Sequence, residues 1–508
     1  MTGSIMKYII ALDGGNTQIK AVLFDLRGEE INKVLVENDV IVKGECRELN
    51  MLTFWEKAAA AVYALMAEGP ARPEDIVGIG LTGSPEGLWA VGHDGKPVGN
   101  AILGIDGRAR EEAAYVREKT PGMGKLIHRN LGCPVNAGSP LMILRWLRKN
   151  RLDQYRRIKV ALMAKDWLRY CMTGRMVTDF SDGVAAFLRF PTGRIPSQML
   201  TVLELRDTVE KLPGVLDATV IAGRLGEDAA DQMGLAAGIP VAVGAMDMVS
   251  AALGVGAIDR GDVAVILGKA PAAMTVHERE ICDPTRYWQH FLCHVHDDRA
   301  LELMATLDIA ANIEWALKEL TGSVDYALAD QLVEQAAPGS GGVVFLPYLS
   351  TRRERVVRAP KNATGCFFGM TEATTKQEML RAVYESVAYA LRDISMDARS
   401  VKQIRLSDGA AAGGLLPRII ADVMDATVAV ASGSAFAAKG AAMTCGIGLG
   451  IYQNCEDAVK RCCGAAHQYQ PRPKPIYQSG FMLYRDLRRT FGDLWQERER
   501  MMRQMERA

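Results

Sequence analysis

Two carboxylates end short apolar segments at places where they could serve phosphate chemistry. Asp13 ends the segment YIIALD and is followed at once by Gly14 and Gly15. A turn without bulky side chains lets backbone N–H groups approach an anion, and a carboxylate at its edge can hold a divalent cation beside that anion. These residues predict a phosphate and metal site; the alternative is an ordinary hairpin in which Asp13 favours the turn.

The second carboxylate, Asp247, stands between the apolar segments IPVAVGAM and MVSAALGVG. Low polarity around it would raise the pKa of Asp247 and make it a better proton acceptor. An aspartate that caps the N-terminus of a helix would also be favoured here. The residues alone leave both interpretations open.

The elements that position these residues follow from the apolar pattern. YIIALD, IKAVLFD and INKVLVEN predict three strands joined by turns, an antiparallel meander. Helical periodicity in LTFWEKAAAAVYALMAEG and a buried strand in IVGIGLTG then alternate as in an α/β domain. DVAVILGKAPAAMTVH repeats the strand, glycine turn and strand, which suggests an internal duplication with an active cleft between the copies.

Two further segments each have a structural and a functional interpretation. The tail YRDLRRTFGDLWQERERMMRQMERA predicts an amphipathic helix docked on the body by Leu487, Phe491 and Trp495, rather than a partner or membrane helix. HFLCHVHDD predicts a half-exposed strand with His294 and His296 on one face, and a zinc site is its alternative.

Length and composition limit the class of protein. A chain of 508 residues exceeds one ordinary core, so two large domains are expected. The 60 Lys and Arg balance the 60 Asp and Glu, which leaves no net field for nucleic acid or anionic membrane and favours a small-molecule partner. Ten cysteines without a CxxC pair indicate reduced, cytoplasmic thiols. Residues 234–258 are interrupted by Pro240 and Asp247 and do not predict a membrane span.

LDGGNTQIK resembles the first phosphate motif of the FGGY family of carbohydrate kinases, which belongs to the actin-like ATPase superfamily. Asp13, Gly15 and Lys20 match that motif, and Asn16 stands where threonine is usual, with Thr17 beside it. Residues 138–150 and 365–385 resemble the two family signatures, except that Ile143 replaces a usual lysine. AILGIDGRA resembles the Asp-x-Arg segment of the sugar site, and IPVAVGAMD the strand that ends in the catalytic aspartate. The resemblance spans residues 8 to about 450.

The resemblance implies an α/β fold with two actin-like (ribonuclease H-like) ATPase domains, each a mixed β-sheet flanked by helices, and an interdomain cleft. Residues 1–244 would form the N-terminal, sugar-binding domain. Residues 245–508 would form the C-terminal, nucleotide-binding domain with its C-terminal helix. The implied cofactors are ATP and Mg²⁺, and a homodimer is common among members.

The resemblance also implies a role for each candidate residue. Asp247 would be the catalytic base and contact the sugar, together with Glu86, Asp106 and Arg108. A carboxylate suits a polyol because it accepts from neighbouring hydroxyls; the alternative is a surface loop with incidental charges. Asp13 would hold Mg²⁺ through water, and Lys20 would chiefly steady the hairpin. The resemblance implies that the nucleotide is bound by Asp13, Gly14, Gly15, Asn16, Thr17, Lys20, Gly268, Lys269, Gly409 and Ala410.

The nucleotide segments depart from the family pattern. Lys269 replaces a threonine, and Asp408 and Gly413 replace a glycine and a serine in the adenosine loop. The leading hypothesis is an ATP-dependent kinase that transfers the γ-phosphoryl group to a hydroxyl of a small ketose, first a ketopentose such as xylulose or L-xylulose. The alternatives are a polyol kinase acting on erythritol or glycerol, and a catalytically weakened regulatory protein that binds a sugar or nucleotide.

Overall fold

The computed structural model describes residues 6–119, 122–267, 272–281, 290–305, 309–349, 362–395, 401–407 and 414–505. The chain forms two compact units. Unit 1 comprises Met1–Ile258, His277–Glu302 and Ala435–Gly464, and unit 2 comprises Asp259–Val276, Leu303–Ser434 and Ala465–Ala508. The predicted boundary after residue 244 lies inside unit 1, which therefore includes Asp247.

The first half of the chain contributes most of the strands. They are β1 (Tyr8–Gly14), β2 (Gln18–Asp25), β3 (Glu30–Glu37), β4 (Ile41–Lys43), β5 (Cys46–Leu49), β6 (Ile76–Gly83), β7 (Trp89–Gly92), β8 (Ala101–Ile102), β9 (Ile158–Leu162), β10 (Val177–Asp179), β11 (Gly214–Leu216), β12 (Ile221–Arg224) and β13 (Pro240–Ala242). The second half adds β14 (Asp262–Ile266), β15 (Ala272–Glu278), β16 (His290–Cys293), β17 (Arg299–Ala305), β18 (Val344–Leu346), β19 (Cys366–Phe368), β20 (Gln403–Leu406), β21 (Thr427–Ala431) and β22 (Ala465–Tyr469).

Helices alternate with these strands along the chain. They are α1 (Met51–Glu68), α2 (Arg110–Ala114), α3 (Met123–Leu131), α4 (Pro140–Asn150), α5 (Leu152–Arg157), α6 (Ala164–Thr173), α7 (Phe180–Ala186), α8 (Ser197–Val202), α9 (Glu227–Met233), α10 (Asp247–Gly254), α11 (Ile309–Thr321), α12 (Tyr326–Gln335), α13 (Lys376–Ile394), α14 (Leu415–Met424), α15 (Phe436–Gly448), α16 (Cys455–Cys462) and α17 (Pro475–Met505).

The main sheet of unit 1 has six strands in the order β12-β13-β6-β1-β2-β3. β1, β2 and β3 pair antiparallel in sequence, which confirms the predicted meander. On its other side β1 pairs with β6 in parallel, and β6 pairs with β13 in parallel. The sheet is therefore mixed, with a parallel centre formed by β1, β6 and β13.

Helices cover both faces of this sheet. Because successive strand residues point to opposite faces, Ile10 and Leu12 of β1 pack in one core with α1 and α6. Ile9 and Ala11 pack in another with the small residues of α15. A strand with helices on both faces is nearly continuous in apolar residues; all seven residues of β1 are buried, and Asp13 near its end is the one charged residue among them.

Unit 2 repeats the hairpin at the start of its own sheet. β14 and β15 pair antiparallel, as predicted, while β14, β20 and β21 run parallel and β22 returns antiparallel to β21. The C-terminal helix α17 packs on the core of this unit. Leu487 and Trp495 are buried there and Phe491 is partly buried, which confirms the predicted docking contacts.

Candidate active site

Three predicted site residues lie at or just after the carboxyl ends of the three parallel strands at the centre of unit 1. Asp13 of β1 is in register with Thr82 of β6, and β13 lies on the far side of β6. Glu86 comes three residues after β6, and Asp247 comes five residues after β13. Ligands of α/β proteins bind at this edge of a parallel sheet, where the loops that follow the strands converge.

Asp13 is buried and paired with a lysine. Lys20 lies directly opposite on β2, and its Nζ is 3.1 Å from Asp13 Oδ2. The other oxygen, Oδ1, has no hydrogen-bond donor among the described residues. One oxygen is thus engaged by the lysine, and the other is available to a cation or its water ligands.

The turn after Asp13 is closely packed. A β-carbon on Gly14 would lie 2.9 Å from Leu168 Cδ1, and one on Gly15 would lie 2.6 Å from the carbonyl oxygen of Gln18. Both distances are shorter than real side chains allow, so the two glycines have a steric reason in addition to any approach by phosphate. Asn16 donates its backbone N–H to Ser84 Oγ at 3.1 Å, and the side chain of Thr17 is exposed.

Glu86 occupies a backbone conformation that side chains seldom adopt. Its φ is 63°, in the left-handed region, although the residue is only 8% exposed. Such a conformation costs of order 1 kcal/mol and is concentrated at functional sites. Asn136 Nδ2 donates to Glu86 Oε1 at 2.8 Å. The sequence reasoning missed Asn136, which lies just before the first family signature.

Asp106 and Arg108 form a bidentate ion pair. Asp106 accepts four hydrogen bonds of 2.6–2.9 Å, from the backbone N–H groups of Arg47 and Arg108 and from Arg108 Nε and Nη2. A carboxylate has about four acceptor positions, so these donors fill them. Asp106 is therefore placed to orient Arg108, which differs from the predicted direct contact with sugar hydroxyls.

Glu48 is a further member of this ion-pair cluster that the sequence did not reveal. Arg108 Nη2 donates to Glu48 Oε1 at 2.5 Å, and the guanidinium lies 5.4 Å from the centre of the Trp146 ring. Burial alone would raise the pKa of Glu48, but the hydrogen bonds from Arg108 and Asn100 hold it below its usual value. Burial disfavours the charge on Arg108, yet its two carboxylate partners raise its pKa above the usual range.

Asp247 is the first residue of α10, directly after the N-cap residue Met246. Its Oδ1 accepts a hydrogen bond from Met248 N at 2.6 Å, and the residue is half-buried. A carboxylate in the first turn of a helix is stabilised by the helix dipole. The helix-start position expected as the alternative interpretation is present, one residue inside the N-cap.

The candidate nucleotide residues of the second half lie outside the described residues: Gly268, Lys269, Gly409 and Ala410, with the variant positions Asp408 and Gly413. Within the described ranges, no three His, Cys, Asp or Glu side chains are grouped so as to hold a metal ion. None of the helices described combines the length and apolar character that a membrane crossing needs.

The prediction that His294 and His296 lie on one face of a strand is wrong, because β16 ends at Cys293. His294 Nδ1 accepts from His296 N at 2.9 Å, so Nε2 carries the proton and donates to the carbonyl of Ala257 at 3.1 Å. Burial lowers the pKa of His294 to about 3. This histidine is a neutral residue with both nitrogens engaged, which does not suit a zinc ligand.

Comparison with known proteins agrees with the architecture and with the motifs. The N-terminal domain of the FGGY family of carbohydrate kinases matches residues 8–254, and its C-terminal domain matches residues 288–449. The "Probable L-xylulose kinase" of Pasteurella multocida is 28% identical over 394 residues, which are 76% of this chain and 78% of that protein. The "L-xylulose/3-keto-L-gulonate kinase" of Escherichia coli is 26% identical over 489 residues, 95% and 96% of the two chains.

A solved structure shares the fold along nearly the whole chain. The ligand-bound xylulose kinase of Lactobacillus acidophilus superposes with a TM-score of 0.87 at 22% identity, over 97% of this chain and 99% of that one. This likeness confirms the predicted fold class. With both family domains matched in order, the chain belongs to the FGGY family of carbohydrate kinases.

Proposed function

We propose that this protein is an ATP-dependent sugar kinase that transfers the γ-phosphoryl group to a hydroxyl of a small ketose, first a ketopentose such as xylulose or L-xylulose. The observation that carries the proposal is the convergence of Asp13, Glu86 and Asp247 at the carboxyl ends of β1, β6 and β13. Relatives named as L-xylulose kinases support the ketopentose. The regulatory alternative is less favoured, because a protein that only binds sugar needs no base.

Asp247 has the features of a general base for this transfer. It is half-buried, at a helix start that holds its backbone, and it can accept the proton that the sugar hydroxyl loses on attack. Glu86 would accept hydrogen bonds from sugar hydroxyls. Arg108, held by Asp106 and Glu48, would present a fixed donor to the same substrate.

Asp13 and its turn fit a nucleotide phosphate with Mg²⁺. The carboxylate has Oδ1 available, and Mg²⁺ is usually bound by one or two carboxylates together with phosphates and water. When bound, the ion would neutralise charge on the phosphate oxygens. Backbone contacts to the phosphates would come from Gly14, Gly15, Asn16 and Thr17. The cysteines of the described ranges are free thiols, which supports a cytoplasmic location.

A coupled assay tests the proposal directly. Turnover would be measured with ATP and Mg²⁺ on L-xylulose, D-xylulose, 3-keto-L-gulonate, erythritol and glycerol, for the wild type, Asp247→Asn and the exposed control Asp153→Asn. Removal of a general base costs about 10² to 10⁴ in kcat, so Asp247→Asn should lose nearly all turnover while Asp153→Asn keeps it. Sugar binding without ATP consumption in the wild type would favour the regulatory alternative.

A further inference from the structure

The four residues that connect β13 to Asp247 are buried, and side chains from distant parts of unit 1 hold their backbone. Arg169 Nη1 donates to the carbonyl oxygen of Val243 at 2.7 Å. Thr82 Oγ1 donates to the carbonyl oxygen of Ala245 at 2.8 Å. Because irregular backbone buried without water must find partners elsewhere, these contacts fix the course of the segment.

A serine hydroxyl accepts the hydrogen bond of the backbone amide that directly precedes Asp247. Met246 N, the amide directly before Asp247, donates to Ser181 Oγ at 3.0 Å. The hydroxyl of Ser181 then donates its own proton to Asp179 Oδ2 at 2.5 Å. Asp179 also caps α7 by accepting from Ser181 N at 2.7 Å. The serine therefore has one defined orientation, with its lone pair toward the backbone of Met246.

Asp179 is in turn fixed by a buried lysine. Lys165 Nζ lies 2.8 Å from Asp166 Oδ1, 2.9 Å from Asp179 Oδ1 and 2.9 Å from Asp182 Oδ2. All four side chains are essentially inaccessible to solvent. Fully buried charges are costly unless they are paired, and here the one ammonium group contacts all three carboxyl groups. From this cluster, hydrogen bonds lead through Asp179 and Ser181 to the amide that precedes Asp247.

We infer that Ser181, oriented by Asp179 and Lys165, is a positioning residue that holds the Met246–Asp247 peptide and thereby aims the Asp247 carboxylate at the acceptor hydroxyl. The inference rests on the proposed function, in which Asp247 is the base. Ser181 need not touch the substrate; it acts through the backbone. Displacement of a catalytic group by about 1 Å can cost about 10²-fold in rate, and removal of the Ser181 hydroxyl takes away the acceptor of the Met246 amide.

The test compares Ser181→Ala with the control Ser386→Ala. Ser386 is also a buried serine, and its hydroxyl donates to Val383 O on α13 of unit 2. Ser181→Ala should lower kcat about 10- to 100-fold, with KM for sugar and ATP changed less than about threefold. The acid limb of the kcat–pH profile should shift, and hydrogen exchange of the 243–248 backbone should become faster. Ser386→Ala should match the wild type in all four measurements.

Each other outcome has a defined meaning. A wild-type kcat in Ser181→Ala overturns the inference, and so does a lowered kcat with unchanged exchange of residues 243–248. If Ser181→Ala does not fold, Ser181→Cys, which places a weak sulfur acceptor opposite the Met246 amide, replaces it under the same criteria. If Asp247→Asn keeps wild-type turnover, the proposed function loses its base; an inactive Asp247→Asn beside a fully active Ser181→Ala overturns the positioning role alone.

Discussion

Asp13 and Lys20 face each other across the first hairpin, with Lys20 Nζ 3.1 Å from Asp13 Oδ2. The carboxylate is nearly inaccessible, whereas the lysine side chain is 37% exposed. The pairing explains why an acid and a lysine flank so short a turn: the half-exposed ammonium compensates the buried carboxylate and leaves one of its oxygens available. The lysine therefore has a structural role that is independent of any phosphate contact.

Lys20→Met should destabilise the protein, because it leaves the Asp13 carboxylate buried without its partner. Breaking a fully buried pair costs about 3–5 kcal/mol and an exposed pair less than about 1 kcal/mol. For this half-exposed pair we expect a loss of about 1–2 kcal/mol in the free energy of unfolding, measured by urea denaturation. Lys33→Met, which breaks an outer-strand pair with Glu30, is the control and should lose less than about 0.5 kcal/mol. Equal losses in the two variants would contradict this account of Asp13.

Glu86→Gln should weaken sugar binding without unfolding the protein. The carboxylate is a stronger acceptor for sugar hydroxyls than an amide, and a hydrogen bond to a charged group contributes about 1.5–3 kcal/mol. The expected result is a sugar KM raised about tenfold or more at unchanged KM for ATP. Glu204→Gln is a matched control, because Glu204 also has a left-handed φ, of 60°, but its side chain is 74% exposed. A sugar KM that does not change in Glu86→Gln would remove Glu86 from the substrate site.

Gly15→Ala should distort the turn that follows Asp13. The new methyl group would lie 2.6 Å from Gln18 O, a backbone atom that cannot move aside independently. Overpacking of this kind costs about 1–3 kcal/mol, and we expect the KM for ATP to rise together with this loss of stability. Gly464→Ala is the control, since nothing lies within 4 Å of a β-carbon there. A Gly15→Ala variant as stable as Gly464→Ala would show that the turn has more room than its contacts indicate.

Local pattern was sufficient to predict the hairpins, because alternating apolar residues and glycine turns depend on neighbours in sequence, and it made Asp13 and Asp247 candidates. Glu86 and Asp106 became candidates through the family resemblance. The partners of those carboxylates could not be predicted in this way. Arg108 and Glu48 are 60 residues apart, and Asn136 and Glu86 are 50 apart. Such pairs arise only when loops from different strands converge.

Backbone conformation was the other feature that the sequence did not reveal. A left-handed φ is normally associated with glycine, so nothing in the residue type of Glu86 indicated it. The prediction for the histidines after β16 was wrong for a related reason. The sequence pattern continues past Cys293, but the strand ends there and His294 makes its hydrogen bonds outside the strand.

The buried cluster around Lys165 gains a second cation from Arg169, whose Nη2 lies 2.9 Å from Asp166 Oδ1, so it has two cations and three carboxyl groups. Its charges balance if one carboxyl is protonated, and Asp182 is the one that fits. Burial raises the pKa of Asp182 from its ordinary 3.8 to about 8; the attraction of Lys165 opposes this rise, and repulsion from Asp179 and Asp166 adds to it. Asp182 therefore holds a proton at neutral pH in the folded protein and loses it on unfolding.

The sign of the pH dependence follows from this difference. Between about pH 4 and pH 8 the folded chain binds a proton at Asp182 that the unfolded chain does not, so the contribution of Asp182 to stability falls as pH rises, by up to about 1.4 kcal/mol per pH unit. Asp182→Asn, whose amide resembles the protonated acid in shape, should abolish this slope. We expect the wild-type free energy of unfolding, measured in urea, to exceed that of Asp182→Asn by most near pH 5, and this difference should decline toward pH 8. The corresponding difference between wild type and the exposed control Asp153→Asn should stay constant. A difference for Asp182→Asn that does not change with pH would mean that Asp182 is ionised in the folded protein, and that the cluster retains an unbalanced negative charge beside the segment that leads to Asp247.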